Sequence, residues 1–133
     1  MSVLRGLLAG VAVTAVAMAT MAMPARADGP GEGGDATHGK IVFNQCLVCH
    51  TIVPGAKKIG PSLWGVIGRH SATLPGFTYS TAMQNYNKVW EPDTLFVYLE
   101  APMKQVPGTK MTFAGLSKEQ DRKDVIAYLE TLK

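Results

Sequence analysis

Metal-binding and redox side chains are scarce in this chain. It has two cysteines and three histidines in 133 residues, and no second Cys or His pair stands by to complete a zinc site. Internal repeats are absent. So is any sustained alternation of apolar and polar residues with a period of two, which argues against a sheet. Excess charge is lacking as well: 13 Lys and Arg face 10 Asp and Glu. Two of those cations, Arg5 and Arg26, fall in a segment expected to be removed, and without them the balance is close to neutral. Charge therefore gives no reason to invoke nucleic acid, and any attraction to a partner must come from local clusters of lysine.

Charge is missing altogether from Gly6 to Met23, which follow a short basic start, Met1–Arg5. Pro24 breaks the apolar run. Ala25-Arg26-Ala27 then sets small residues two apart, the pattern a signal peptidase accepts. Residues 1–27 are expected to be a secretory signal cut between Ala27 and Asp28, placing Asp28–Lys133 in the periplasm. An uncut membrane anchor is the alternative, since the run approaches the ~18 to 20 residues that span a bilayer. Residues 28–34 are mostly glycine and should form a mobile stretch ahead of one domain at 35–133.

Four helices are expected. Asp35 can cap one that runs through Gly39, Val42 and Phe43 toward the cysteines. Ser80 can cap a short one over Thr81–Tyr86. Pro92 suits a first helical position, with Leu95, Tyr98 and Leu99 on one face, and Pro102 should end that helix. Ser117 and Gln120 read as a capping box before Val125, Tyr128, Leu129 and Leu132, spaced i, i+3, i+4, i+7. Long loops rich in Gly, Pro and Lys separate these segments, from Thr51 to Tyr79 and from Met103 to Leu116. Loops of that length usually wrap something. The fold class is all-α with a thin core, a deficit that a large apolar prosthetic group would repair.

Cys46-Leu47-Val48-Cys49-His50 is where the scarce residues gather. Two thiols three positions apart on a helical turn can each add to one vinyl group on the edge of a haem. The next imidazole is then carried beneath the porphyrin plane, where a ring nitrogen can bind iron. C-x-x-C-H is the signature of covalent haem attachment, and histidine is a standard haem ligand. The competing readings are weaker. A disulfide between Cys46 and Cys49 would close a very small ring. A thioredoxin-like pair wants a strand before it, whereas Asp35–Gln45 reads as helix. Zinc would need further ligands, and His38 and His70 lie in no paired motif.

On these residues the chain resembles the class I cytochromes c, especially the small soluble bacterial ones related to the mitochondrial protein, from about Gly34 to Lys133. The resemblance implies a cytochrome c fold wrapped around one covalently bound haem c. Gly39, Phe43 and Cys46 resemble the family's first helix, whose glycine lets the last helix cross closely, with Tyr128 as its packing partner. Gly60-Pro61-Ser62-Leu63-Trp64-Gly65 resembles the loop behind the histidine, where the proline carbonyl accepts a hydrogen bond from the imidazole and fixes its tautomer. Arg69, Tyr79 in the run Gly76–Ser80, and Trp90 stand where the family binds haem propionates. Tyr98 resembles the tyrosine on the methionine side. Two positions depart. Met83 sits where many relatives carry a polar residue near buried water, which should make the pocket drier, and Trp64 has no functional reading.

An iron held by His50 needs a donor on its other face. Pro107-Gly108-Thr109-Lys110-Met111 resembles the family's distal loop, with Met111 as that donor. A thioether is soft and suits ferrous iron, and Pro107-Gly108 is a turn signal that can aim the loop back at the haem. Met103, early in the same loop, is the rival; Met83, on a helix, fills a gap in the ordinary way. His/Met ligation raises the reduction potential and leaves no open position for substrate.

The expectation is a soluble, monomeric single-electron carrier with no turnover of its own. The resemblance implies partners among cytochrome bc1-type complexes, terminal oxidases, reaction centres and periplasmic dehydrogenases. Lys57, Lys58, Lys88, Lys104, Lys110 and Lys118 lie where the family surrounds the exposed haem edge, a ring that could steer acidic partners. Ordinary solvated charge is the alternative. Two other functions stay open. One is an open-site haem protein with peroxidase or gas-binding activity, which requires Met111 off the iron. The other is an electron-transfer subunit tethered by an uncut Gly6–Met23.

Overall fold

The computed structural model describes residues 29–133, so the expected signal at 1–27 lies outside the described residues. The helices among them are α1 (Ala36–Phe43), α2 (Thr81–Tyr86), α3 (Pro92–Glu100), α4 (Pro102–Gln105) and α5 (Glu119–Glu130). No strand forms among the described residues; isolated bridges join Thr51 to Ser62, Lys57 to Pro61 and His70 to Val89. The architecture is all-α, as the want of period-two patterning requires.

Local chemistry sets several helix ends. The Asp35 carboxylate accepts the N–H groups of Thr37 at 2.7 Å and His38 at 3.4 Å. Ser80 Oγ accepts the Met83 N–H at 3.0 Å. Both caps satisfy donors that a first helical turn leaves free. Pro92 opens α3, and Leu95, Tyr98 and Leu99 are buried on its inner face.

The first and last helices cross at Gly39. A Cβ there would overlap the Asp124 carbonyl and sit 3.0 Å from the Cβ of Tyr128, so only glycine permits the approach. The Phe43 and Tyr128 rings meet at a tilt, 5.1 Å between centroids. Phe43, Val125 and Ile126 are almost wholly buried, each contributing roughly 1.5–3 kcal/mol through burial. A buried carboxylate ties the same crossing. Asp124 accepts the Asp35 N–H at 2.8 Å, the His38 Nδ1–H at 2.7 Å and the Gln120 amide at 2.8 Å.

Pro102 ends α3 as expected and at once starts α4, a fifth helix, because a proline that cannot continue a helix suits the first position of the next. Two expectations need correction. Ser117 and Gln120 make no capping box. Lys118 is the N-cap, no side chain bonds to the first turn, and Gln120 reaches forward to Asp124 instead; a buried carboxylate needs donors more than an exposed helix start does. Gly29–Gly34 is not free of the domain. Gly31 is buried and its N–H donates to Asp93 at 3.0 Å, while Gly34 lies so close to the Lys123 carbonyl that a Cβ would overlap it. Small residues let this stretch lie flat on α3 and α5.

Candidate cofactor site

The helical path does not end at Phe43. The N–H of Cys46 donates to the Phe43 carbonyl at 2.8 Å, that of Cys49 to Cys46 at 3.1 Å, and that of His50 to Cys46 at 2.8 Å. This winding puts both cysteines and His50 on one compact turn. Neither cysteine is in a disulfide. Burial, reinforced by Cys49, pushes the Cys46 thiol up to about 11. A redox pair of the thioredoxin kind needs the opposite shift.

His50 is held from behind. Its Nδ1–H donates to the Pro61 carbonyl at 2.8 Å. Burial holds the imidazole below its ordinary value, against the pull of the Pro61 carbonyl and with help from Lys58 and Arg69. Burial and the two cations favour the neutral ring, with Nδ1–H committed to Pro61 and the Nε2 lone pair left to bind a metal. Gly60 is the shelf. A Cβ there would stand 2.5 Å from Cε1 and 2.7 Å from Nδ1 of His50. Nothing in the sequence reading singled out Gly60 for this; its place beside Pro61 was the available signal.

In front of the turn lies a cavity of about 820 Å³. All nine residues selected from the sequence line it: Cys46, Cys49, His50, Pro61, Arg69, Tyr79, Trp90, Tyr98 and Met111. The inner faces of α3 and α5, through Leu95, Leu99, Val125 and Leu129, border this space as well. Within its lining the Tyr98 hydroxyl donates to the Met111 sulfur at 3.3 Å, and the Trp90 and Tyr98 rings pack 4.8 Å apart. Met83 adds a second thioether to the lining. Arg69 donates to the Ser62 carbonyl at 2.9 Å and to that of Trp64 at 3.2 Å. The Tyr79 hydroxyl accepts the Leu74 N–H at 3.3 Å. Both residues thus brace the long loop besides facing the cavity.

The rivals fall elsewhere. Met103 is 49% exposed and borders no part of the cavity. His38 is tied to Asp124, and His70 is outside the lining. Among the described residues no group of three or more His, Cys, Asp or Glu could hold a metal ion. Of the six lysines expected at a haem edge, Lys57, Lys58 and Lys110 border the cavity, whereas Lys88, Lys104 and Lys118 do not.

Among the described residues the lining holds four cations (Lys57, Lys58, Arg69 and Lys110) and no carboxylate. That suits a large apolar group bearing its own acids, not a hydrated cation. Two free thiols on one turn, an imidazole with Nε2 available and a thioether complete a nitrogen and sulfur donor set that fits an iron porphyrin. The family model for cytochrome c matches residues 36–133. The chain belongs to the cytochrome c family. Cytochrome c2 of Rhodopila globiformis is 52% identical over 106 residues, covering 79% of this chain and all of that one. Cytochrome c2 of Blastochloris viridis is 49% identical over 102 residues, or 76% of this chain and 80% of that one. Among solved structures, cytochrome cH from Methylobacterium extorquens superposes with a TM-score of 0.71 at 37% identity, covering 74% of this chain and 99% of that one. As a cytochrome c, the chain carries one haem c bonded through Cys46 and Cys49.

Proposed function

We propose that this cytochrome c is an exported, soluble single-electron carrier in which His50 and Met111 would hold the haem iron. The observation that carries the reading is the Met111 sulfur, held by the Tyr98 hydroxyl at 3.3 Å in the cavity that His50 also lines. When bound, the haem supplies an iron that alternates between ferric and ferrous states. The chain does the rest. Cys46 and Cys49 anchor the group, the Pro61 carbonyl fixes the His50 tautomer, and Tyr98 orients the Met111 sulfur. Arg69, Tyr79 and Trp90, which line the cavity, would hold the propionates. The apolar lining keeps water out and, with the ligands, sets the potential. With His50 and Met111 both holding the iron, no donor site would be left for a substrate, which favours electron transfer over turnover.

The basic start, the uncharged Gly6–Met23 run and Ala25-Arg26-Ala27 support cleavage after Ala27 and work in the periplasm. Among the described residues no helix is long and apolar enough to cross a membrane. A monomer docking in turn on a bc1-type complex, a terminal oxidase, a reaction centre or a periplasmic dehydrogenase fits this design.

The test is a pyridine haemochrome spectrum with an intact mass, on protein from the periplasmic fraction, followed by carbon monoxide added to the reduced protein near neutral pH. The expected results are a c-type spectrum, the mass of Asp28–Lys133 plus one haem, and slow, incomplete gas binding. Pigment that extracts into acidified acetone would end the covalent reading. Rapid stoichiometric gas binding would favour the open-site alternative, and a mass retaining residues 1–27 the tethered one.

A further inference from the structure

Arg122 is the one cation among the described residues that is buried, at 6% exposure. It has no carboxylate partner; the ion pairs of the described chain are His38 with Asp124 and Lys123 with Glu119. Its Nη1 donates to the Leu116 carbonyl at 2.6 Å and to that of Ser117 at 3.1 Å. Its guanidinium carbon lies 4.4 Å over the Phe96 ring, and its Nε–H finds no acceptor among the described residues. A buried cation so incompletely partnered is a poor way to stabilise a fold, since an apolar side chain of similar volume often does as well. What Arg122 does hold are the Leu116 and Ser117 carbonyls, at the downstream end of the Met111 loop.

The loop's main-chain hydrogen bonds lie at its two ends, while Phe113 and Gly115 between them are held by packing alone. Upstream, the Val106 N–H donates to Pro102, the Thr109 N–H to Val106, and the Met111 N–H to Thr109 Oγ1. From Thr112 to Gly115 no main-chain group bonds to any described residue. The next fixed point is Leu116, whose N–H donates to the Leu99 carbonyl at 2.8 Å and whose own carbonyl is taken by Arg122. Leu116 lines the cavity, whereas Arg122 does not. We infer that Arg122 is a positioning residue for the second axial ligand, clamping the downstream end of the Met111 loop through the carbonyls of Leu116 and Ser117. This rests on Met111 being that ligand.

The test compares carbon monoxide binding by the reduced holoprotein in wild type, Arg122→Met and Phe96→Leu, with urea midpoints for each. Arg122→Met keeps the packing and removes the donors. Phe96→Leu removes the ring under the guanidinium and keeps both carbonyl bonds. The expected result is gas binding faster by about tenfold or more in Arg122→Met, with Phe96→Leu as slow as wild type even where its midpoint falls. Binding in Arg122→Met no faster than in wild type overturns the inference. So does equal opening in both variants, which would report general loosening. If Arg122→Met does not accumulate as holoprotein, Arg122→Lys decides: one donor can reach one carbonyl, and intermediate gas binding supports the clamp while wild-type behaviour refutes it. A wild-type protein that binds the gas rapidly shows instead that Met111 is not the ligand, and the inference falls with that reading.

Discussion

The Tyr98 hydroxyl donates to the Met111 sulfur at 3.3 Å, and burial, helped by Tyr86, pushes that phenol up to about 12. The donor is therefore protonated at any working pH. If Met111 holds the iron, as proposed above, a hydrogen bond drawing on its sulfur lone pair weakens donation to ferric iron more than to ferrous, which raises the potential. Tyr98→Phe should lower it by roughly 20–60 mV, the equivalent of one modest hydrogen bond. Voltammetry of the two proteins checks this; an unchanged or raised potential would show that the contact does not reach the metal.

Gly39→Ala tests the crossing of α1 and α5. The added methyl would overlap the Asp124 carbonyl, which belongs to helix backbone and cannot swing aside. The helices must part, loosening Phe43 from Tyr128 and Asp124 from its donors. A loss of at least ~2 kcal/mol is expected, read from urea unfolding of the holoprotein. An unaltered midpoint would mean that the crossing has slack.

Gly60→Ala acts on the other side of the site, where a Cβ would stand 2.5 Å from Cε1 of His50. The ring must tilt, straining the bond from Nδ1–H to Pro61. Exchange of the Nδ1 proton with solvent, followed by NMR in the reduced protein, should quicken by about tenfold or more. Exchange as slow as in wild type would show that the loop retreats instead.

Much of this was legible in the sequence, for reasons of locality. Asp35 and Ser80 cap helices that begin one residue later, so a few neighbours decide the outcome. Cys46, Cys49 and His50 share one helical turn, so spacing alone gathers them. What escaped depends on residues far apart in the chain. Gln120 looks like half of a capping box until Asp124, fixed by Asp35 and His38 from α1, claims its amide. Arg122 and Asp124 carried no signal of their own in the sequence, yet both are buried because α5 packs against α1 and α3. Gly29–Gly34 reads as free because composition cannot show the surface of α3 and α5 on which it lies.

Asp124 also gives the protein a pH dependence of definite sign. Burial pulls its carboxyl up, but the Asp35 N–H, the Gln120 amide and His38 outweigh that and hold it below its ordinary 3.8. Its stabilising contribution is thus complete above about pH 4 and fades as pH falls through the lower folded value. Asp124→Asn should cost about 2 kcal/mol or more at pH 6. The gap to wild type should then narrow below pH 3.8. Urea midpoints between pH 2.5 and 7 decide; a constant gap, or one that widens in acid, contradicts the assignment.

Three lysines at the cavity rim, Lys57, Lys58 and Lys110, face a mouth with no carboxylate in its lining, although the chain beyond its first 27 residues is almost neutral. Net charge and local field then make different predictions. A field set by net charge would leave oxidation by hexacyanoferrate(III) nearly indifferent to salt. A field set by the rim attracts the anion strongly when the screening length is ~30 Å, at 10 mM salt, and weakly when it shrinks below ~10 Å, above 100 mM. The rate should fall several-fold over that range, on the order expected for local steering. Neutralising Lys57, Lys58 and Lys110 with glutamine should flatten the response, whereas the same change at Lys88, Lys104 and Lys118, which lie outside the lining, should leave it standing. Equal effects from the two triple variants would mean that the anion senses the whole surface, and the rim would lose its claim as the docking face.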